Sequence, residues 1–335
     1  MARDPSPESA EDRLIASYFA PLARHPGAFG LTDDAAMLTP PDGMDLVLTA
    51  DAIVAGVHFF PDDPADAIAR KALRVNLSDL AAKGATPAGF LLSLAIPVGI
   101  TGAWLKEFSR GLSADSQAYG CALMGGDTVR TPGPGMVSIT AFGFVPHGRM
   151  VRRAGAKVDD RVFVTGTIGD AALGLRLRRD LNAAARWSLD PAGANHLMQR
   201  YLLPQPRCAV ALTLRDHASA AMDVSDGLAG DLGKLCRASG VTADIETTQV
   251  PLSDPARAAL AADPKLIETI LAGGDDYEVL ATVPWLKVDS FRRTAMKVGV
   301  SATEIGRITA GEGAPRFLDR SGAPIKLGRV SFSHF

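Results

Sequence analysis

Apolar residues recur along this chain at two different spacings, and the switches between them mark its elements. Leu14, Ile15, Tyr18, Phe19 and Leu22 fall on one face at helical spacing, and Pro21 with Pro26-Gly27 closes this opening helix. The run 45–50 predicts a short strand that delivers Asp51 at its C-terminal end, followed by a helix over 65–83 that stops at Gly84. A strand over 90–96, a helix over 104–119, a strand over 122–125 emptying into Gly126-Asp127, and a long alternating strand over 136–145 come next. Strands alternating with helices indicate an α/β domain.

Pro146-His147-Gly148 and the basic stretch 149–153 form the expected boundary, which gives an N-terminal domain over 1–148 and a C-terminal α/β domain over 149–335. A fresh strand over 161–165 leads into Gly166-Thr-Ile-Gly169-Asp170 and a helix. Further on, 220–223 reads as a strand, Ser225-Asp226-Gly227 as a turn, and 228–239 as a helix stopped by Gly240. Ser78-Asp79 and Ser225-Asp226 echo one another, but two dipeptides do not establish a duplication. The segment 182–205 is a polar, alanine-rich helical insert of no evident chemistry.

On a helical wheel of 68–82, Arg70, Lys71 and Arg74 share one face while Ile68, Ala72, Leu73, Val75 and Leu80 form the opposite arc. Asp79 and Asn76 fall inside that apolar arc, where an ionised carboxylate costs several kcal/mol unless a cation or several donors compensate. Asp34, Asp51, Asp127, Asp223 and Asp226 each lie in a short segment with Gly, Ser, Thr or another Asp, which is also ordinary turn and cap chemistry. Three of them follow apolar runs, so in an open α/β sheet they gather at the carboxyl ends of strands, where ligands bind. Carboxylates brought together repel, and the expected relief is at least two divalent cations of the oxygen-preferring kind, Mg²⁺ above all, which travels with phosphate.

Composition narrows the partners. With 335 residues and 47% of them apolar, two cored domains are the expectation. Lys and Arg number 35 against 37 Asp and Glu, so a net charge of −2 provides no general attraction to nucleic acid or to an anionic membrane. Cys121, Cys208 and Cys236 are far apart, which argues against a disulfide framework and structural zinc and fits a cytoplasmic location. The first residues, 1–13, are acidic and carry proline, and the longest apolar run, near 90–100, is too short to span a bilayer. The glycine-rich loops and catalytic triplets of ordinary nucleotide kinases are missing. Gly125-Gly126 and Gly166-Thr-Ile-Gly169 can offer amides to a phosphate, His58 can meet a polar substrate group, and Arg153 can clamp a phosphate.

Taken in order, Asp33-Asp34-Ala-Ala36, Thr49-Ala-Asp51 through Gly56-Val-His58-Phe59, Lys71 through Asn76-Leu-Ser-Asp79, Gly125-Gly-Asp127-Thr128, Asp223-Val-Ser225-Asp226-Gly227-Leu228 and Gly273-Gly-Asp-Asp-Tyr277-Glu278 resemble the thiamine-monophosphate kinase family, over nearly the whole chain. The wider superfamily includes aminoimidazole ribonucleotide synthetase, which shares the Asn-Leu-Ser-Asp and Gly-Gly-Asp-Thr segments. The resemblance implies a two-domain aminoimidazole ribonucleotide synthetase-like α/β (α+β) fold, with the N-terminal sheets of a homodimer paired into a barrel. It implies ATP-dependent phosphorylation of thiamine monophosphate. Asp34, Thr49, Asp51, Asp79, Asp127 and Asp223 correspond to Mg²⁺ ligands, and Asp226 to the holder of a further ion. Gly126, Asp127, Arg153 and Ser225 correspond to ATP contacts, His58 and Asp275 to substrate contacts, and Asp79, Asp127 and Asp226 to the catalytic set. Thr32 stands where the family has Gly, Ala50 where it has a hydroxyl residue, and Asp275 where it has Glu; Phe332 is the nearest candidate for a substrate-stacking aromatic. The alternatives are a Mg²⁺-dependent phosphohydrolase, another phosphate-handling member of the superfamily, and a non-catalytic nucleotide-binding regulator.

Overall fold

A computed structural model describes residues 9–180, 182–328 and 331. The described residues divide into two compact units, one made of 9–77 with 87–144, the other of 78–86 with the described residues from 145 onward. The first contains α1 (Ala10–Leu14), β1 (Met44–Val54), most of α2 (Ala65–Ala82), β2 (Thr86–Pro97), α3 (Gly102–Tyr119), β3 (Ala122–Thr131) and β4 (Met136–Pro146). The second contains β5 (Arg161–Thr165), α4 (Asp170–Arg179), α5 (Ala183–Arg186), α6 (Pro191–Leu202), α7 (Ala211–His217), β6 (Ala220–Asp223), α8 (Leu228–Ser239), β7 (Thr242–Glu246), α9 (Asp254–Ala262), α10 (Leu266–Ala272), β8 (Val279–Val283), α11 (Val288–Lys297), β9 (Ala302–Thr309) and β10 (Arg316–Leu318).

The first unit carries a four-stranded sheet in the order β1-β4-β2-β3, with β2 and β3 parallel. Both β1 and β3 run past the points where the sequence pattern stops them. Aspartate is depleted in strands, which ends the pattern at 50 and 125, yet Ile53-Val54 and Thr128-Val129 resume it. Pairing with β2 carries β3 through to Thr131, so Asp127 faces Ser93 from inside the strand. The opening helix is likewise not one uniform element: α1 gives way to a π turn over Ile15–Phe19 and a 3₁₀ turn over Ala20–Leu22, which Pro21 enforces by removing a backbone donor.

Helix α2 is buried nearly all round. Lys71 is 1% exposed and Arg74 5%. Their arc is taken up by protein partners: Lys71 Nζ donates to the His58 carbonyl at 2.9 Å, and Arg74 grips Asp115 of α3 through Nε at 2.5 Å and Nη2 at 3.0 Å. Such a pair offsets the desolvation of both charges only because the fork geometry satisfies both carboxylate oxygens. Helix α3 begins where Thr101 Oγ accepts the Trp104 N–H and ends at Gly120 in the left-handed conformation.

The second unit is built on a six-stranded sheet in the order β10-β7-β9-β5-β8-β6. It is mixed: β10 runs parallel to β7, while the β7–β9, β9–β5, β5–β8 and β8–β6 pairs are antiparallel. Central β5 is covered on both faces. Val162 and Val164 point into one core with Ile168, Leu173 and Leu232, and Phe163 points into another, where its ring meets Phe291 edge-on at 5.1 Å. Burying one such side chain contributes about 1.5–3 kcal/mol. The 182–205 segment is less inert than its composition implies. Trp187, Leu197 and Tyr201 are buried, and α6 lies so close to α4 that a Cβ on Gly174 would collide with the Leu197 carbonyl. Among the described residues no helix is long and apolar enough to cross a membrane.

Candidate active site

In the first unit a cavity of about 710 Å³ is lined by the acidic Asp33, Asp34 and Asp127 together with Gly126 and by apolar residues that include Phe19, Leu123 and Phe142. The chain reaches this arrangement because β2 and β3 approach closely at the glycine pair. Gly126 has φ +152, and a Cβ there would strike the Leu92 carbonyl, so only glycine fits. Asp34 and Asp127 therefore meet around one space. Asp51 does not join them within the sheet: β1 and β3 are opposite edges, with β4 and β2 between. Asp51 is instead tied to α2, its N–H donating to Asn76 Oδ1 at 3.1 Å, while Asn76 Nδ2 donates to Ala72 O. Thr49 lies two residues earlier on β1. The turn beyond β1 holds His58, whose Nδ1 accepts the Val54 N–H at 3.0 Å. An accepting Nδ1 leaves Nε2 as the protonated, donating nitrogen.

In the second unit three separated sequence segments converge. Ser78, Asp79 and Lys83 come from the end of α2 and the turn after it, Asp223 from the last position of β6, and Ser225-Asp226 from the turn that follows. Asp223 is 6% exposed. Burial raises its carboxyl well above the usual carboxylate range; the Asp79 and Asp231 charges push the same way, and the Ser78 hydroxyl and Lys83 oppose them. Burial in turn lowers the Lys83 ammonium against the pull of Asp223 and Asp79, and Arg153 lowers it further. Lys83 Nζ donates to the Ala221 carbonyl at 2.8 Å. The backbone leading to Arg153 runs beside β6, where the Ala221 N–H donates to Arg152 O, so the exposed Arg153 belongs to this neighbourhood.

Asp231, on the first turn of α8 and fully buried, shapes the Ser225-Asp226 turn. Its Oδ2 accepts both the Ser225 N–H at 3.0 Å and the Asp226 N–H at 2.9 Å. Lys234 bridges Asp226 at 2.5 Å and Asp231 at 2.7 Å. Against this turn lies the 273–278 loop: the Asp275 N–H donates to Ser225 O at 2.9 Å, the Tyr277 N–H to Val224 O at 2.8 Å, and the Val224 N–H to Glu278 O at 2.8 Å. A Cβ on Gly274 would collide with the Ser225 carbonyl, so a close approach of two backbones explains that glycine, while a Cβ on Gly273 would meet Ala172 and the Thr269 carbonyl. Asp275 and Tyr277 both have positive φ, 71° and 50°, a conformation that costs a non-glycine residue about 1–3 kcal/mol and persists only where surroundings enforce it.

The next carboxylate, Asp276, supports a pH prediction. It is 1% exposed and accepts the Gly169 N–H at 2.8 Å at the start of α4. Burial nevertheless raises its carboxyl well above 3.8, the Gly169 N–H and Arg200 opposing and Asp170 and Glu278 adding. A raised acid keeps its proton in the folded chain after the unfolded chain has released it. Folded protein then binds more protons than unfolded from pH 3.8 upward, and stability falls as pH rises through that window. Asp276→Asn is expected to make the fall in unfolding free energy between about pH 4 and 7, followed by urea titration, shallower, by about 1.4 kcal/mol for each tenfold difference in proton affinity that the substitution abolishes. Asp223 and Asp231 are raised too, so some slope remains in the variant.

The structure thus gathers Asp34, Gly126 and Asp127 in the first unit, and Asp79, Asp223, Ser225, Asp226, Asp275 and Arg153 in the second. Thr49, Asp51 and His58 sit on β1 and its turn, and Phe332 lies outside the described residues. Among the described residues no three Asp, Glu, His or Cys side chains close to the distance at which they would share one metal ion. The donor set is nonetheless of the right kind: Asp223 is buried beside the Asp79 and Asp231 carboxylates and the Ser78 hydroxyl, with Lys83 as a cationic neighbour, an oxygen-rich setting that would suit a hard cation. Sequence reasoning passed over Lys83, Asp231 and Lys234, and named Glu278 only as the end of the Gly273–Glu278 motif, without a role. Asp231 and Lys234 had a readable signal, being spaced three apart at the start of the helix after an acidic loop; Lys83 had none.

Residues 32–145 match the family model of the AIR synthase related protein N-terminal domain and 157–317 that of the C-terminal domain, so the chain belongs to the AIR synthase related family and has its two-domain α/β architecture. A thiamine-monophosphate kinase of Caulobacter vibrioides is 43% identical over 321 residues, covering 94% of this chain and 88% of the relative. A crystal structure of thiamine-monophosphate kinase from Stenotrophomonas maltophilia K279a superposes with a TM-score of 0.81 at 39% identity, over 94% of this chain and 96% of that one. AaThiL complexed with AMPPCP and TMP superposes with a TM-score of 0.75 at 31% identity, over 92% and 97% of the two chains. Within the AIR synthase related proteins, the chain belongs to the thiamine-monophosphate kinase family.

Proposed function

We propose that this chain transfers the γ-phosphoryl group of ATP to thiamine monophosphate, forming thiamine diphosphate and ADP. The observation that carries the reading is the junction of Ser78-Asp79, Asp223-Ser225-Asp226 and the 273–278 loop around a carboxylate whose burial leaves it in need of a cation. Its support outside the chain is the family itself and the AMPPCP and TMP held by AaThiL.

In this reading Asp34, Thr49, Asp51, Asp79, Asp127 and Asp223 hold Mg²⁺ ions and Asp226 a further one. Bound Mg²⁺ supplies neutralisation of polyphosphate charge, since close like charges repel by about 4 kcal/mol per pair at an intermediate effective dielectric. Gly126 offers its backbone to the nucleotide phosphates, with Arg153 and Ser225 as further contacts. His58 presents Nε2–H to the acceptor, and Asp275 receives the thiamine part. An acceptor phosphate oxygen attacks the γ-phosphorus in line, the new P–O bond forming as the bond to the ADP oxygen breaks. A phosphate monoester near neutral pH is already anionic, so no general base and no phosphoenzyme are required. The residues act by positioning and by charge. Domain 1–148 serves ATP and Mg²⁺ binding and pairs its sheet with a second copy into a barrel, domain 149–335 carries the Asp223 turn and the acceptor loop, and the enzyme works in the cytoplasm as a homodimer.

Mass spectrometry of a mixture of protein, ATP, Mg²⁺ and thiamine monophosphate tests this directly. Thiamine diphosphate and ADP are expected in equal amounts, with formation abolished by EDTA. Phosphate released from thiamine monophosphate in the absence of ATP would identify a hydrolase instead.

A further inference from the structure

Glu278 is held by four hydrogen bonds in the second unit, and its partners come from segments with no part in the chemistry above. Its side chain is fully buried. Oε1 receives Arg200 Nη2 at 2.8 Å and Arg207 Nη2 at 2.5 Å, and Oε2 receives Arg207 Nε at 2.6 Å and the Thr165 hydroxyl at 2.7 Å. Room for this cluster depends on Gly166, which has φ +56 and where a Cβ would collide with Glu278 Oε1. Arg200 is delivered by α6, which starts at the Asp190 cap with Pro191 in its first turn and is anchored by the buried Leu197 and Tyr201.

The position of Glu278 in the chain gives the cluster its meaning. It ends the loop whose Asp275 and Tyr277 adopt positive φ, and the other inward anchor of that loop is Asp276, at the start of α4. The two anchored carboxylates alternate with the two strained residues. Positive φ at an aspartate and a tyrosine does not hold itself; the surroundings must impose it. The geometry points to Arg200 and Arg207 as positioning residues that act through Glu278 to hold the Asp275–Tyr277 turn in the shape that receives the phosphate acceptor. This rests on the function proposed above, and it gives the 182–205 segment a role, because α6 carries a cation to the back of the acceptor loop.

The test is Arg200→Met, with Arg200→Lys as the conservative partner and Glu278→Gln as a shape-preserving variant should the first not fold. KM for thiamine monophosphate is expected to rise at least tenfold in Arg200→Met while kcat and KM for ATP stay within twofold, and Arg200→Lys is expected to recover part of the loss. Amide exchange at Asp275 and Tyr277 is expected to quicken at least tenfold with β5 and β6 unchanged. Unaltered exchange at these two amides, or acceleration spread evenly over the second unit, overturns the proposal. So does a rise in both KM values together with a fall in kcat. If the wild-type protein transfers nothing to thiamine monophosphate, the functional reading fails, and the exchange measurement still decides the clamp by itself.

Discussion

Asp79→Asn is expected to lower kcat by two to three orders of magnitude, equivalent to about 2.7–4 kcal/mol of transition-state stabilisation, while the chain stays close to wild-type stability. The two halves of that expectation have one cause. Asp79 pushes the buried Asp223 carboxyl upward while it attracts Lys83, so its charge is only partly offset in the folded protein, and in the proposed mechanism bound cations meet the remainder. Replacing Asp79 with the neutral isostere relieves the repulsion and removes negative charge from the site. Steady-state kinetics with both substrates saturating, beside thermal denaturation without ligands, makes the comparison. Near-normal turnover would take Asp79 out of the mechanism.

Asp231→Ala has the largest expected effect on the fold around the site. It strips the acceptor from the Ser225 and Asp226 N–H groups, leaving two donors at a part-buried turn, and removes one of the two carboxylates bridged by Lys234. Unsatisfied donors cost about 1–3 kcal/mol each when water cannot reach them, so a loss of about 2–4 kcal/mol in urea denaturation is expected, with kcat falling as the turn that carries Ser225 and Asp226 loosens. Asp231→Asn provides the contrast. Both N–H groups are held by the single oxygen Oδ2, which a carboxamide oxygen can replace, so most of the stability is expected to return. Equal losses in the two variants would mean that the charge of Asp231, rather than its accepting oxygen, organises the turn.

Local pattern carried far in parts of this chain and not in others, and the division is physical. The strand, turn and helix from Ala220 to Ser239 are legible residue by residue, because an apolar run, an Asp-Gly turn and a terminal left-handed Gly240 are each decided within a few positions. The ends of β1 and β3 were not legible. Asp51 and Asp127 look like strand terminators, and only the pairing of β3 with β2 shows one of them continuing inside a strand. The helical-wheel reading of α2 found the apolar arc but could not show that the opposite, basic arc is buried too, since that depends on Asp115 and on the His58 turn.

The residues by themselves determined the type of chemistry: oxygen donors set among glycines and hydroxyls, a net charge near zero, and motifs specific enough to mark the family. They also determined which short segments turn and which continue. Tertiary structure alone decided which carboxylates share a neighbourhood, that Asp34 and Asp127 border one cavity while Asp51 lies across the sheet, and that Lys83 bonds beside Asp223, Asp231 holds the Ser225-Asp226 turn and Glu278 is gripped by Arg207. The reason is that charge and strain depend on burial and on neighbours far away in sequence. An aspartate in a turn has the same local pattern whether it caps that turn or faces two other carboxylates away from water, and only the packing distinguishes the two.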